Sequence, residues 1–243
     1  MFELDFPVLG SCLASDGLHS PVSILHMMQN CIGPWQRTEP EFAAWLEERN
    51  LKTIITSRQL DIRRRAAFGE TLTAQTSVWD IKGPLLHRDT QLLDQQGQVV
   101  ATSWNCGPII NLQTGKMERV PKDLLGRMAL EPLADMERLG KRIRRLTSDD
   151  SQIIVLPGEA YRVKPSDIDV YQHMNNVAYV RLAADQLPLD FTWDRMRVEY
   201  RNQARLGMTI HPQISIRDTV AQIDLQDSQG ETFAFVEFST VQE

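Results

Sequence analysis

The sequence predicts an α+β protein in which one unit occurs twice, each copy an antiparallel sheet wrapped around a central helix. The first reason is an internal repeat. Residues 63–80 align without a gap on 201–218, with 7 of 18 identical: Arg63, Ala66, Gly69, Thr71, Gln75, Ser77 and Asp80 recur as Arg201, Ala204, Gly207, Thr209, Gln213, Ser215 and Asp218. The second is order, because in each half an apolar helix precedes a run of strand-like segments divided by turns. The third is composition: 243 residues, 42% hydrophobic and 24% charged, give enough apolar material for a sizeable core and too little net charge for disorder.

The elements follow in chain order. A helix is expected over 21–32, with Ser20 as N-cap, Pro21 at its first position, and Ile24, Leu25, Met28 and Ile32 at helical spacing. A second is expected over 40–49, opened by a capping box of Thr38 and Glu41. Strands then fall at 53–63, 70–81, 85–93 and 99–111, with turns at Gly69, Gly83-Pro84 and Gly97. Residues 131–148 read as a linker helix: Leu133, Met136, Leu139, Ile143 and Leu146 form an apolar stripe opposite basic Arg138, Lys141, Arg142, Arg144 and Arg145. The second half repeats the plan, with a strand at 160–163, a helix at 175–186 and strands at 195–203, 208–217, 221–225 and 232–240. Each half also has a hairpin with Asp and Gly at matching offsets, Asp94 with Gly97 and Asp227 with Gly230. The expected division is 1–125, a linker helix within 126–150, and 151–243.

The formal net charge of −6 argues against a general nucleic-acid binder. Cys12, Cys31 and Cys106 lack the spacing of a disulfide framework or zinc site, and no residues are spaced for a metal. The N-terminus has no basic stretch before Leu9, and no uncharged run resembles a membrane span. A cytoplasmic protein is expected. His19, His26, His87 and His211 read as capping, surface or core residues, and Cys106 as a buried structural thiol with no evident charge partner.

Chemistry concentrates in Ser166-Asp-Ile-Asp-Val-Tyr-Gln-His-Met-Asn-Asn-Val-Ala-Tyr179. Asp169 and His173 lie four apart in a polar loop, and Asn175 and Asn176 are N-cap candidates for the helix behind it. Such a loop aims a carboxylate and an imidazole at a helix N-terminus. The backbone N–H groups and dipole there favour an oxyanion on a carbonyl substrate. Acyl transfer to water fits these parts.

The segment 169–179 resembles the Asp-x-Asn-x-His-x-Asn-Asn-x-x-Tyr signature of plant and bacterial acyl-acyl-carrier-protein (acyl-ACP) thioesterases. Val198-Glu-Tyr-Arg201, Asp16 before Met28-Gln29, Phe68-Gly-Glu70, and Trp104 followed by Asn111-Leu-Gln-Thr-Gly115 resemble further family elements in the same order. The resemblance implies a tandem hot-dog fold with one active site, hydrolysis of fatty acyl-ACP to free fatty acid, acyl carrier protein as partner, and no cofactor. It makes Asp169 and His173 the active-site Asp and His. Tyr171 replaces the family's Asn, Gln203 its water-activating carboxylate, and Ala204 the Cys of plant members. His173, oriented by Asp169, is then expected to activate water, with Gln203 either a neutral hydrogen-bonding group that positions that water or the thioester, or a strand residue facing a polar rim. Tyr171, Asn175 and Asn176 are expected to contact substrate.

Setting Asp16 against Asp169 places Ser20 opposite His173, so the first half lacks the imidazole and is free to shape an acyl pocket, with Met27 and Met28 in its wall. The runs 63–65 and 141–145 are candidate docking patches for an acidic carrier. Two other readings stand beside the leading one: a non-catalytic acyl-thioester binding protein on the same fold, and an acyl-CoA thioesterase. Monomer and homodimer are both compatible with the duplication.

Overall fold

The computed structural model describes residues 1–147 and 153–241. The chain forms two compact units, Met1–Leu139 and Gly140–Glu243. In the first, β1 (Phe2–Pro7) precedes helices α1 (Pro21–Asn30), α2 (Ile32–Trp35) and α3 (Pro40–Glu48), strands β2 (Leu51–Thr53), β3 (Ser57–Ile62), β4 (Thr71–Lys82), β5 (Leu85–Leu93) and β6 (Val99–Asn111), and a single turn of helix α4 (Lys122–Leu125). The sheet runs β1-β4-β5-β6-β3 with every pair antiparallel, and β2 also pairs with β6.

Ser20 caps α1 as its sequence requires: its hydroxyl accepts from Ser23 N at 3.1 Å, and Pro21 follows at the first position. The helix buries Ile24, Leu25, Met27 and Met28. It ends sooner than the apolar spacing implies, because Cys31 closes α1 and α2 restarts at Ile32. The expected capping box is absent. Thr38 Oγ1 donates to Trp35 O at 2.8 Å and so finishes the preceding turn, leaving α3 with Glu39 at its N-cap. Helix α3 supplies Phe42 and Leu46 to a cluster with Trp35, Leu51, Val78, Ile81, Leu86 and Ile109.

The second unit contains β7 (Ile154–Pro157), β8 (Tyr161–Arg162), α5 (Asn176–Ala184), β9 (Arg195–Tyr200), β10 (Thr209–Arg217), β11 (Val220–Gln226) and β12 (Thr232–Ser239). Its strands run β9-β12-β11-β10-β7, again antiparallel, with β8 on β10. Val177, Tyr179, Val180, Leu182 and Ala183 are buried on α5. The repeated hairpins match bond for bond: Asp94 Oδ1 accepts from Gln96 N and Gln98 N, and Asp227 Oδ1 from Gln229 N and Glu231 N. Gly97 (φ 76°) and Gly230 (φ 84°) occupy the left-handed position each turn needs.

The linker helix is not formed: the described part of 126–150, residues 126–147, contains none, and 148–150 lie outside the described residues. The segment is extended because buried polar side chains on the outer faces of the sheets take its backbone groups. In the first unit Asp89 accepts from Leu133 N and Ala134 N, while Gln59 donates to Glu137 O and accepts from Leu139 N. In the second, Glu199 accepts from Ile143 N, and Gln222 accepts from Leu146 N and donates to Arg144 O. A helix would satisfy its own backbone and strand these four side chains. Among the described residues no helix is long and apolar enough to cross a membrane.

Candidate active site

The site is built on the turn that leads into α5. Ile168 and Met174 form an antiparallel bridge, and between them Asp169 N donates to His173 O (2.9 Å) and Gln172 N to Asp169 O (3.0 Å). Gln172 takes a left-handed φ of 64°, which costs a non-glycine residue roughly 1 kcal/mol. Asp169 Oδ1 accepts from Tyr171 N at 2.8 Å and from His173 N at 3.4 Å. The carboxylate thus holds the backbone of the turn on either side of Gln172. Its Oδ2 is left for the ring or a water, and the half-buried His173 ring has no hydrogen-bond partner among the described residues.

Behind the turn, Asn175 N donates to Asp167 O at 2.7 Å and Asn175 Oδ1 caps α5 by accepting from Val177 N at 2.9 Å. Asn176 holds the first helical position, and its N–H has no acceptor among the described residues. An N–H at this position of a helix can donate to an anion. Met174 N donates to Ala204 O (2.9 Å) and Ala204 N to Tyr179 Oη (2.7 Å). That pairing sets His173 beside the chain bearing Gln203, which is exposed in an irregular stretch, not in the strand expected to reach 203. Burial, with the negative charge of Asp169, pushes the Tyr179 phenol up to about 12, so it stays protonated.

Sequence reasoning missed the brace beneath the turn. Asp167, buried where Asp169 is only partly so, accepts from Tyr161 Oη, Lys164 N and Arg181 at 2.8 Å each. Arg181 is the lone charge within α5, and that was its available signal. Tyr171 is 57% exposed and donates its backbone N–H to Asp169 Oδ1. Met27 and Met28 are buried core residues of α1, which belongs to the first unit, whereas the turn belongs to the second. Cys106 has a neighbour the sequence did not reveal, His87 Nε2 at 3.7 Å across paired strands. No group of three His, Cys, Asp or Glu residues is placed to hold a metal among the described residues.

The structure also corrects the register of the repeat. Ala14 N donates to Leu18 O and Gly17 N to Ala14 O, as Asp169 and Gln172 do, with Gly17 at φ 79°. Leu13 bridges His19 as Ile168 bridges Met174, and His19 N meets Ala66 O as Met174 N meets Ala204 O. Hence Ala14 matches Asp169, Leu18 matches His173, and the caps Ser20 and Asn175 coincide. The first unit lacks both the carboxylate and the imidazole, and Asp16 instead pairs with Arg65.

Solved structures share this architecture over nearly the whole chain. An acyl-ACP thioesterase from Bacteroides thetaiotaomicron aligns at a TM-score of 0.85 and 16% identity, covering 98% of this chain and 96% of that one. The 12:0-ACP thioesterase from Umbellularia californica aligns at 0.76 and 15%, again covering 98% and 96%. The fold is thus a tandem hot-dog. The chain belongs to the acyl-ACP thioesterase family: the family's N-terminal domain matches residues 26–128 and its C-terminal domain residues 155–238. A chloroplastic palmitoyl-acyl carrier protein thioesterase from Arabidopsis thaliana is 22% identical over 161 residues, 64% of this chain and 39% of that protein. A chloroplastic acyl-[acyl-carrier-protein] hydrolase from Cuphea viscosissima is 24% identical over 168 residues, again 39% of its length. The chain spans about two fifths of these curated relatives.

Proposed function

We propose that this chain hydrolyses the thioester of a fatty acyl group on acyl carrier protein, using the turn of the second unit. The observation that carries the reading is the placement of His173 just ahead of a helix whose first N–H is unclaimed among the described residues. His173 takes a proton from water as the water oxygen attacks the thioester carbonyl carbon. The Asn176 N–H donates to the oxyanion, and Gln203, exposed on the adjoining chain, positions the water. Collapse of the intermediate breaks the C–S bond, and the proton held by His173 passes to the departing thiolate. The first unit, without the constellation, holds the acyl chain. The three cysteines are free, which suits a reducing compartment.

The carrier docks beside the turn, not on the two basic runs. Four of the seven basic residues in those runs are ion-paired: Arg64 with Glu70 and Asp94, Arg65 with Asp16, Arg142 with Glu199 and Arg145 with Asp224. Arg162, Lys164 and Arg205 are exposed without an ion pair among the described residues, next to exposed Leu206 and Met208. They offer a cationic and apolar surface to an acidic protein carrying a phosphate-linked thioester.

The test is release of free thiol from panels of acyl-ACP and acyl-CoA. We expect turnover of acyl-ACP, and His173→Ala to lower kcat by ~10²–10⁴-fold with the fold retained. Binding without turnover across the panel would make this a binding protein, and a preference for acyl-CoA would reassign the carrier. Arg162→Glu with Arg205→Glu should raise KM for acyl-ACP about tenfold and leave acyl-CoA hydrolysis unchanged; equal effects on both carriers would place docking elsewhere.

A further inference from the structure

The inner face of the first unit's sheet carries positive charge that hydrolysis does not use. Strand register sets Arg58 on β3, Asn105 on β6 and Arg88 on β5 side by side, and directly opposed residues share a face of a sheet. That face lies under α1 and α2, because the Arg88 guanidinium stands 4.2 Å from the centre of the Trp35 ring. All three residues are buried, Arg88 to 2% exposure. Arg88 Nη1 donates to Thr76 Oγ1 at 3.3 Å, and no carboxylate pairs with it among the described residues. The amide Nδ2 of Asn105 is buried with no hydrogen-bond partner among the described residues.

Burial and the nearby charge of Arg58 draw the Arg88 pKa down to about 9, so the guanidinium remains protonated at neutral pH. A guanidinium presents five donors in a plane. One meets a threonine and the ring of Trp35 covers a face, which leaves most of the fork for an acceptor with two oxygens. The unpartnered amide of Asn105 stands on the next strand. A buried cation without a counter-ion is costly, and a ligand that brings the anion removes the cost.

We propose that Arg88 and Asn105, with Arg58 as a second positive charge, form a subsite for the carboxylate of a fatty-chain ligand lodged between α1 and the inner face of the first unit's sheet. The fatty chain rests on the function proposed above, whereas the need for an anion comes from the row itself. The carboxylate has two sources: the far end of a dicarboxylic acyl chain, or the free fatty acid released by hydrolysis.

Isothermal titration of the full chain with dodecanoate and with dodecanol separates charge from chain. We expect dodecanoate to bind about tenfold or more tightly than dodecanol, and Arg88→Met to erase the difference. Asn105→Asp sets a carboxylate between the two arginines, so it should raise Tm and also erase the difference, which keeps the test decisive if Arg88→Met does not fold. Turnover of the monothioester of dodecanedioic acid against that of dodecanoic acid identifies the source. A preference for the former that Arg88→Met reverses assigns the subsite to substrate, and an effect confined to dodecanoate binding assigns it to product. Equal binding of dodecanoate and dodecanol, or a preference that survives in folded variants, overturns the proposal. Because binding is read without turnover, a chain that hydrolyses no thioester would refute the proposed function and leave this result standing.

Discussion

His19, at the foot of α1, is fully buried; Nε2 lies 3.2 Å from Ser23 Oγ and Nδ1 has no partner among the described residues. Burial first, and then the charge of Arg65, draw its pKa from 6.5 to about 4 against the opposing pull of Glu70. Between those values the unfolded chain binds a proton the folded chain refuses. The stabilisation is complete above pH 6.5 and is lost as pH falls towards 4, a change of about 3 kcal/mol. Melting temperature measured across this window should fall steeply in the native protein and more gently in His19→Gln; parallel curves would show that another group governs acid sensitivity. Single residues were legible where their partners are close in sequence. Asp169 and His173 belong to one turn, and Ser20 and Asn175 to the caps beside them. Arg88 with Asn105, and His87 with Cys106, meet only through strand pairing, and Asp167 reaches Arg181 only when α5 folds back over its own turn. No spacing rule encodes those partners.

At the scale of elements, strands β5 and β6 coincide with the expected spans because alternation, Gly turns and the Asp-Gly hairpin all agree there. Strands β1 and β7 went unread. Both are edge strands whose residues are mostly exposed, so they carry little of the alternation that marks a half-buried strand. The segment 131–147 failed for the opposite reason, since its apolar stripe satisfies a helical template while its backbone is claimed by side chains far away in sequence. Asp89 is the strongest of these claims. Fully buried, it holds Leu133 N, Ala134 N and the Arg138 guanidinium, which also stacks 5.0 Å from the Trp79 ring. Asp89→Ala leaves a partly buried cation and two N–H groups unpaired, and should cost about 3–5 kcal/mol in chemical denaturation. Hydrogen exchange should rise selectively at 133–139. Loss below 1 kcal/mol with unchanged exchange would mean that the segment is held by its apolar residues.

Across the whole chain, duplication followed by divergence explains why the constellation proposed as catalytic is found in the second unit and not in the first. The two helix starts are nearly superimposable in backbone: Ser20 at φ −71°, ψ 137° precedes Pro21, and Asn175 at φ −60°, ψ 141° precedes Asn176. Both conformations suit a residue before proline. Proline at the first helical position stabilises α1 but has no N–H, so the first unit lacks the oxyanion donor as well as the carboxylate and imidazole. The position matching Gln203 is Arg65, committed to Asp16 and to His19 O. Every component of the proposed chemistry is thus absent from the first unit, in keeping with the proposed use of its interior for an acyl chain. Asn176→Pro transplants the first unit's helix start into the second. It removes one N–H, keeps a favoured N1 residue, and leaves the Asn175 cap intact. We expect Tm to change by no more than a few degrees while kcat on acyl-ACP falls by ~10²–10³-fold, the usual cost of one oxyanion donor. Asn176→Ala, which loses the side chain but keeps the N–H, should stay within a few-fold of the native enzyme. Undiminished turnover in Asn176→Pro would move the oxyanion to another donor, and equal losses in both variants would assign the effect to the asparagine side chain.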